Sequence, residues 1–295
     1  MLIIDKPEGI TSHDVVNRAR KVFKTKRVGH TGTLDPFATG VLVLLIGRAT
    51  RIAKFLDKDE KEYKGLVRFG FETDTGDRSG KRKTGFDLRD AEVKTVLKTV
   101  NWNKLLSGIR GEIMQVPPMH SAKKIGGKRL YSLARQGKEI ERRAVPVTIS
   151  ALEILETAGD TTMKFRIVCS AGTYIRTLAE DIGRKAGTGA HLQELRRTRS
   201  GRFSLDDALD LAYLEEMACP ETRLITMRGA LADLPEVILP DNRIEKTRQG
   251  LPTRISQPVI ADGSAVKMID ESGSLAAIGI YENAEKNVWP KVVLI

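Results

Sequence analysis

The sequence predicts an α+β protein: a large N-terminal unit of mixed strands and helices, followed by a small β unit. Three observations carry this. Short apolar runs rich in β-branched residues, such as Val41-Leu42-Val43-Leu44-Leu45-Ile46, have the length and composition of buried strands. Between them lie amphipathic segments with apolar residues at helical spacing. The tail from 241 to 295 sets Gly250, Gly263, Gly273 and Gly279 between short β-type runs. At 295 residues, 41% hydrophobic and 29% charged, the chain has the composition of a soluble globular protein with an ample core.

Residues 2–9 read as a short strand entering a Lys6-Pro7-Glu8-Gly9 turn. Thr11 or Ser12 then caps a helix of about a dozen residues. Val15, Val16, Ala19, Val22 and Phe23 share its inner face. Arg18, Arg20, Lys21, Lys24, Lys26 and Arg27 mark the other face and the exit, either as a solvated surface or as one facing phosphates. After the strand at 41–46, residues 49–56 give one or two helical turns with Ile52, Ala53 and Phe55 or Leu56 inward. Residues 61–70 form a strand, 73–80 are turn-rich, and 90–107 suggest a helix and its exit. Met163 to Cys169 alternates as a strand, and a helix follows with Ile175, Leu178, Ala179 and Ile182 inward. From 203 to about 228 the chain looks helical, and a Leu/Pro-rich linker falls at 230–240.

The stretch Gly29-His30-Thr31-Gly32-Thr33-Leu34-Asp35-Pro36-Phe37-Ala38-Thr39-Gly40 differs from all of these. Its three glycines permit turns and close approaches, and Pro36 biases Asp35 toward an extended conformation. Asp35 is then either a backbone cap in a turn or a carboxylate held for chemistry beside a buried strand. Tyr63, on the strand at 61–70, reads by itself as ordinary core packing, with a ligand contact as the second reading.

A net charge of +11 favours a polyanionic partner. Its distribution sharpens the point. Between His120 and Arg143 stand eight basic side chains, Lys123, Lys124, Lys128 and Arg129 among them, against two acidic ones, interleaved with Gly and Tyr in a surface insertion. Cys169 and Cys219 have no CxxC spacing and the four histidines no metal-ligand pattern, so no metal is called for. The 76–81 segment lacks the second half of a phosphate-binding loop, Gly187-Thr188-Gly189 lacks a dinucleotide fingerprint, and no GxSxG elbow exists. No cofactor is expected. No apolar run approaches the roughly 18 residues a membrane span needs, and Asp5 interrupts the apolar start, so a cytoplasmic location is expected.

The blocks DKPEGITSHDVV and GHTGTLDPFATG resemble the signature of the TruB family of tRNA pseudouridine synthases. Further agreement comes from K-x-Y at 61–63, the 115–137 segment, GTYIR at 172–176 and LRRTRSGR at 195–202. The resemblance spans roughly 2–205 in order, with a looser tail. It implies a pseudouridine-synthase-type, mixed and largely antiparallel sheet flanked by helices, with a PUA-like C-terminal domain. It implies a catalytic domain at 1–230, carrying an RNA-gripping thumb at about 115–145, and an RNA-binding domain at 235–295. Asp35 is then the nucleophile, Tyr63 stacks on the target base and Arg176 pairs with Asp35. His30 holds the disrupted RNA loop open, Lys6 and Pro7 buttress the pocket and Leu195 lines it. Arg196 and Arg197, with Lys123, Lys124, Lys128 and Arg129, meet RNA.

The expected activity is isomerisation of the T-loop uridine, position 55 of tRNA, to pseudouridine. The expected partner is the tRNA T-arm, bound by a monomer without an obligatory protein partner. A guide-dependent rRNA synthase and an RNA-binding or RNA-folding protein without catalysis are the alternatives. The thumb-like segment disfavours the first, and the presence of both Asp35 and Arg176 disfavours the second.

Overall fold

The run ending at Ile46 is apolar without alternation because its strand is buried on both faces. The computed structural model describes residues 1–57, 59–121, 123–134, 136–138, 140–156, 161–255 and 260–295; the side chains at 124, 125, 128, 129 and 131 lie outside the description. In chain order, β1 (Leu2–Lys6) leads to α1 (Ser12–Val22), β2 (Val28–Thr31) and β3 (Thr39–Ile46). A 3-10 helix (Gly47–Phe55) precedes β4 (Lys61–Phe69), β5 (Phe71–Thr73) and β6 (Arg82–Asp87). Then come α2 (Asp90–Thr99), α3 (Trp102–Ser107) and β7 (Gly111–Gln115). The small hairpin β8 (Lys124–Ile125) and β9 (Lys128–Arg129) runs into α4 (Leu130–Ala134). There follow β10 (Val145–Glu156), β11 (Thr162–Cys169), α5 (Ile175–Lys185), β12 (Ala190–Ser200) and β13 (Phe203–Ser204). The chain continues through β14 (Leu209–Asp210), α6 (Leu211–Glu216) and α7 (Met227–Ala230). It ends with β15 (Glu236–Ile238), α8 (Asp241–Arg248), β16 (Thr253–Arg254), β17 (Ala265–Ile269), β18 (Leu275–Glu282) and β19 (Asn287–Val293).

Among the described residues ten strands form one mixed sheet, ordered β14-β1-β3-β12-β4-β11-β10-β7, with β2 on β3 and β13 on β12. The β1–β14 and β3–β12 pairings are parallel and the rest antiparallel. Strand alternation sorts the core. Leu2, Ile4, Leu42 and Leu44 face α1 and α5, packing with Val15, Ala19, Leu178 and Ile182. Ile3, Val41, Val43 and Leu45 face the other way, against Ile52 of the 3-10 helix and Ile278 and Leu294 of the C-terminal unit. The C-terminal strands make a five-stranded sheet, β15-β17-β18-β19-β16, with its own core around Val266, Met268, Tyr281 and Val288.

Thr11 is the cap of α1, in a reciprocal capping box with Asp14. The 203–228 stretch, expected to be helical, is instead divided among β13, β14 and short helices. Asp210 caps a new helix there, and Leu209 and Asp210 pair with β1. Within the linker at 230–240, residues 236–238 form β15, because Val237 packs on the C-terminal core. The β5–β6 hairpin and β7 carry no clear apolar period, and neither they nor the long β10 were expected from the sequence.

Candidate active site

The strands β2 and β3 run antiparallel, and the seven residues between them must turn without a regular ladder. Three anchors hold that turn. Ser12, 2% exposed, accepts from the Leu34 N–H at 2.8 Å and lies 3.1 Å from the Leu34 carbonyl. The Gly9 N–H donates to the Pro36 carbonyl at 2.8 Å. Lys6, fully buried, extends its ammonium to the carbonyls of Pro7 and Ile10, both at 2.8 Å, and of Pro36 at 3.3 Å. Burial pulls the Lys6 pKa down to about 8, so the ammonium persists at neutral pH. Beyond Asp35, Gly40 lies against β12 with φ +103°, and a Cβ there would fall 2.1 Å from the Arg197 carbonyl oxygen. Gly40→Ala therefore has no room and should destabilise the fold by about 3 kcal/mol or more. Chemical denaturation of the variant beside wild type checks this; an unchanged midpoint would mean that β3 and β12 separate freely.

The Asp35 carboxylate is met by Arg176, the second residue of α5. Arg176 Nε lies 3.0 Å from Oδ2 and Nη2 donates to Oδ1 at 3.2 Å, a two-point grip. The rest of the guanidinium is fixed as well. Nη1 donates to the Thr75 carbonyl at 2.9 Å and lies 3.5 Å from Asp77 Oδ2, and Nη2 also donates to the His120 carbonyl at 2.7 Å. Arg176 is 7% exposed, whereas Asp35 keeps 32% of its side chain accessible, enough for a ligand to reach it. Burial pushes the Asp35 carboxyl above its ordinary range; Arg176 opposes that most strongly, Asp77 adds to it, and Lys6 and His120 oppose it.

Tyr63, 9% exposed on β4, stands in the same apolar cluster as Leu34, Phe37, Ile175 and Leu195. Burial pushes its phenol up, Arg197 pulling the other way and the Asp35 charge adding to the rise, so it is a neutral phenol at neutral pH. Leu195, 8% exposed, pairs in register with Gly65, where a Cβ would strike the Phe165 ring at 2.6 Å. His30 sits on β2, in a strand rather than in the loop, opposite Leu44. Its Nδ1 is buried without a hydrogen-bond partner in the structure, and burial lowers the ring's pKa, Arg197 and His13 adding to the effect.

One of the two neighbouring arginines expected to meet RNA does not face outward. Arg197 is 1% exposed; its Nε donates to the Val41 carbonyl at 2.6 Å and Nη2 to the Gly32 carbonyl at 3.0 Å. It braces the Asp35 loop from beneath, because strand alternation turns it inward while neighbouring Arg196 turns out. Lys6, expected to buttress the pocket, is likewise fully buried, with its ammonium on three backbone carbonyls. Arg196 stays 42% exposed but is engaged by Asp5 at 2.6 and 3.0 Å. Lys123 is half-buried where the chain enters the β8–β9 hairpin. The side chains of Lys124, Lys128 and Arg129 lie outside the described residues, as does Arg135.

Sequence reasoning missed Asp77 and Ser12 as parts of the site. Asp77, 5% exposed, also accepts from the Thr75 hydroxyl at 2.8 Å and the Ser79 N–H at 2.9 Å. Its only sequence signal was a polar turn, and nothing local pointed to Arg176 on a distant helix. Ser12 was legible only as a cap candidate.

Residues 20–175 match a family model described as the N-terminal domain of the TruB family pseudouridylate synthases, and residues 176–243 match the tRNA pseudouridylate synthase B C-terminal domain. The tRNA pseudouridine synthase B of Solibacter usitatus is 43% identical, over 95% of this chain and 94% of its own. That of Heliobacterium modesticaldum is 44% identical, over 89% and 84%. Among solved structures, an H/ACA RNP bound to a substrate RNA containing 2′-deoxyuridine aligns with a TM-score of 0.72 at 25% identity. It covers 99% of this chain and 84% of that one. A Cbf5-Nop10-Gar1 complex aligns at 0.70 with 28% identity and the same coverage.

Proposed function

The chain belongs to the TruB family of pseudouridylate synthases, and from that premise we propose that it isomerises the T-loop uridine at position 55 of tRNA with Asp35 as nucleophile. The protein is a tRNA pseudouridine synthase, an isomerase, with the α+β fold of that class. The observation that carries the residue assignment is the two-point grip of Arg176 on a carboxylate that remains reachable.

The reaction breaks the bond from ribose C1′ to uracil N1, rotates the base and joins C1′ to C5. The C5 proton leaves and N1 gains one, so no atom or electron is gained overall. A stacked uridine is out of reach, so the nucleotide is flipped into the pocket. Covalent attack needs the Asp35 carboxylate, and Arg176 offsets the cost of ionising it in a desolvated place. Tyr63 and Leu195 supply the faces between which the uracil rests. As a neutral phenol, Tyr63 serves by stacking and hydrogen bonding, and the C5 proton passes to water or another acceptor. His30, neutral at neutral pH, offers a ring nitrogen to the opened RNA loop.

The division of labour completes the reading: residues 1–230 carry catalysis, the basic segment at about 115–145 grips the T-arm, and the PUA-like residues 235–295 add RNA contact. No described helix is long and apolar enough to cross a membrane. Action on tRNA supports a cytoplasmic enzyme, working in this reading as a monomer. Replacing Lys123, Lys124, Lys128 and Arg129 by Ala should weaken tRNA binding and reduce the salt slope of log Kd by about one for each phosphate no longer neutralised. An unchanged slope would remove this segment from the RNA interface.

The direct test uses an unmodified T-arm stem-loop labelled with tritium at uridine C5. The purified protein should release tritium without a guide RNA, and release should vanish when the T-loop uridine is replaced by cytidine. Binding without release would transfer the reading to an RNA-folding role, and release only with a guide RNA to the guide-dependent class.

A further inference from the structure

The thumb-like segment leaves the sheet at the end of β7, and its first residues reach the Arg176 region twice. Gln115, the last residue of β7, is 1% exposed. Its side-chain amide donates Nε2 to the Tyr174 carbonyl at 3.0 Å and accepts at Oε1 from the Tyr174 N–H at 2.7 Å. Tyr174 is the N-cap of α5 and offers no side-chain cap of its own; Gln115 instead holds the N–H and carbonyl of Tyr174 itself, and so fixes the residue at which the helix starts. Arg176 lies two residues on. Five residues past Gln115, the His120 carbonyl accepts from the same Arg176 Nη2 that holds Asp35 Oδ1. Between these two anchor points stand Pro117 and Pro118, whose fixed φ stiffens the connection. Arg142, on the returning limb of the segment, donates to the Pro117 carbonyl at 3.3 Å, so both limbs meet at this connection.

We propose that Gln115 is a positioning residue that sets Arg176 against Asp35, and that the 115–120 connection makes the geometry of the catalytic pair depend on how the thumb is seated on RNA. This rests on the functional reading above. A displaced thumb would move the His120 carbonyl away from Nη2, and the guanidinium, losing that anchor, would turn toward Asp77 and the Thr75 carbonyl and loosen its grip on Asp35. The chemistry is thereby coupled to RNA engagement through hydrogen bonds alone. A purely structural Gln115, tying an edge strand to a helix, would affect stability without selectively touching the chemical step.

The experiment measures single-turnover tritium release from the T-arm stem-loop across pH, RNA affinity, and thermal unfolding, for wild type, Gln115→Met, Gln115→Glu and Pro117→Gly/Pro118→Gly. The groups facing Asp35 are Arg176 from α5, Asp77 from the turn after β5, Lys6 from β1 and His120 from the thumb root. Only the Arg176 and His120 contributions should change. Gln115→Met is expected to slow the chemical step about 10- to 100-fold with affinity within about twofold, as a small misplacement of a positioned group does. The acid limb of its pH profile should move upward as Arg176 loosens its hold. Gln115→Glu, which still accepts from the Tyr174 N–H, should recover part of the rate. The glycine pair, which leaves Gln115 intact, should reproduce the slowed step and the shifted limb, and it keeps the test open if Gln115→Met does not fold. A loss confined to melting temperature or to affinity, with rate and acid limb unchanged in every variant that folds, would overturn the proposal. No release by wild type would instead refute the functional reading itself.

Discussion

Asp35→Asn is expected to abolish tritium release, by at least about 10³-fold, while T-arm affinity stays within a few-fold of wild type. The amide is nearly isosteric, so the loop anchored by Ser12, Gly9 and Lys6 keeps its shape. It cannot form the covalent bond, and Arg176 loses its charged partner. RNA affinity comes from surfaces that the substitution leaves alone. Single-turnover release and a filter-binding titration on the same preparation check both halves. A residual rate above about a hundredth of wild type would take the nucleophile role away from Asp35.

Arg176→Lys should cost about 100- to 1,000-fold in the chemical step, the range seen when one aimed electrostatic group is removed. Lysine keeps the charge but cannot hold Oδ1 and Oδ2 together while also reaching the Thr75 and His120 carbonyls. The pH profile discriminates. Turnover requires ionised Asp35, so activity is present above its pKa and lost as pH falls through it. In wild type the acid limb should already lie above the 3.8 of an ordinary aspartate, because burial raises the group. Weakening the grip of Arg176 should move the limb further up, and part of the lost rate should return as pH is raised. A variant whose rate falls with no movement of the limb would mean that Arg176 serves RNA positioning and not the ionisation of Asp35.

Much of this protein was open to reading along the chain because the relevant physics is local. The run 41–46 declared a buried strand, the period of Val15, Val16 and Ala19 declared α1, and that of Ile175, Leu178 and Ile182 declared α5. Each reflects a burial pattern that one element imposes on its own residues. The glycine-punctuated stretch around Asp35 announced a special loop, and the family resemblance supplied Asp35, Tyr63 and Arg176 as candidates. The β5–β6 hairpin was hidden, since a half-exposed strand with a charged outer face carries a weak period. The long β10 does alternate, at Val145, Val147 and Ile149 and again at Leu152 and Ile154, but a bulge after Ile149 shifts the phase between the two halves.

Tertiary structure alone decided which side chains meet. Sequence treated Arg196 and Arg197 alike, as basic residues facing RNA. The pairing of β12 between β3 and β4 then turned Arg197 into the core beneath the Asp35 loop and left Arg196 outside on Asp5. Asp77, Ser12 and Gln115 join the site through partners far away in sequence, and no local propensity encodes such a meeting. Sequence by itself determined the strongly periodic elements, the special loop and the charge that suits RNA, because those follow from neighbouring residues and composition. The architecture of the site rests on strand register and on helix placement. Both come from burying a shared core, so only the folded chain could say which atoms hold Asp35.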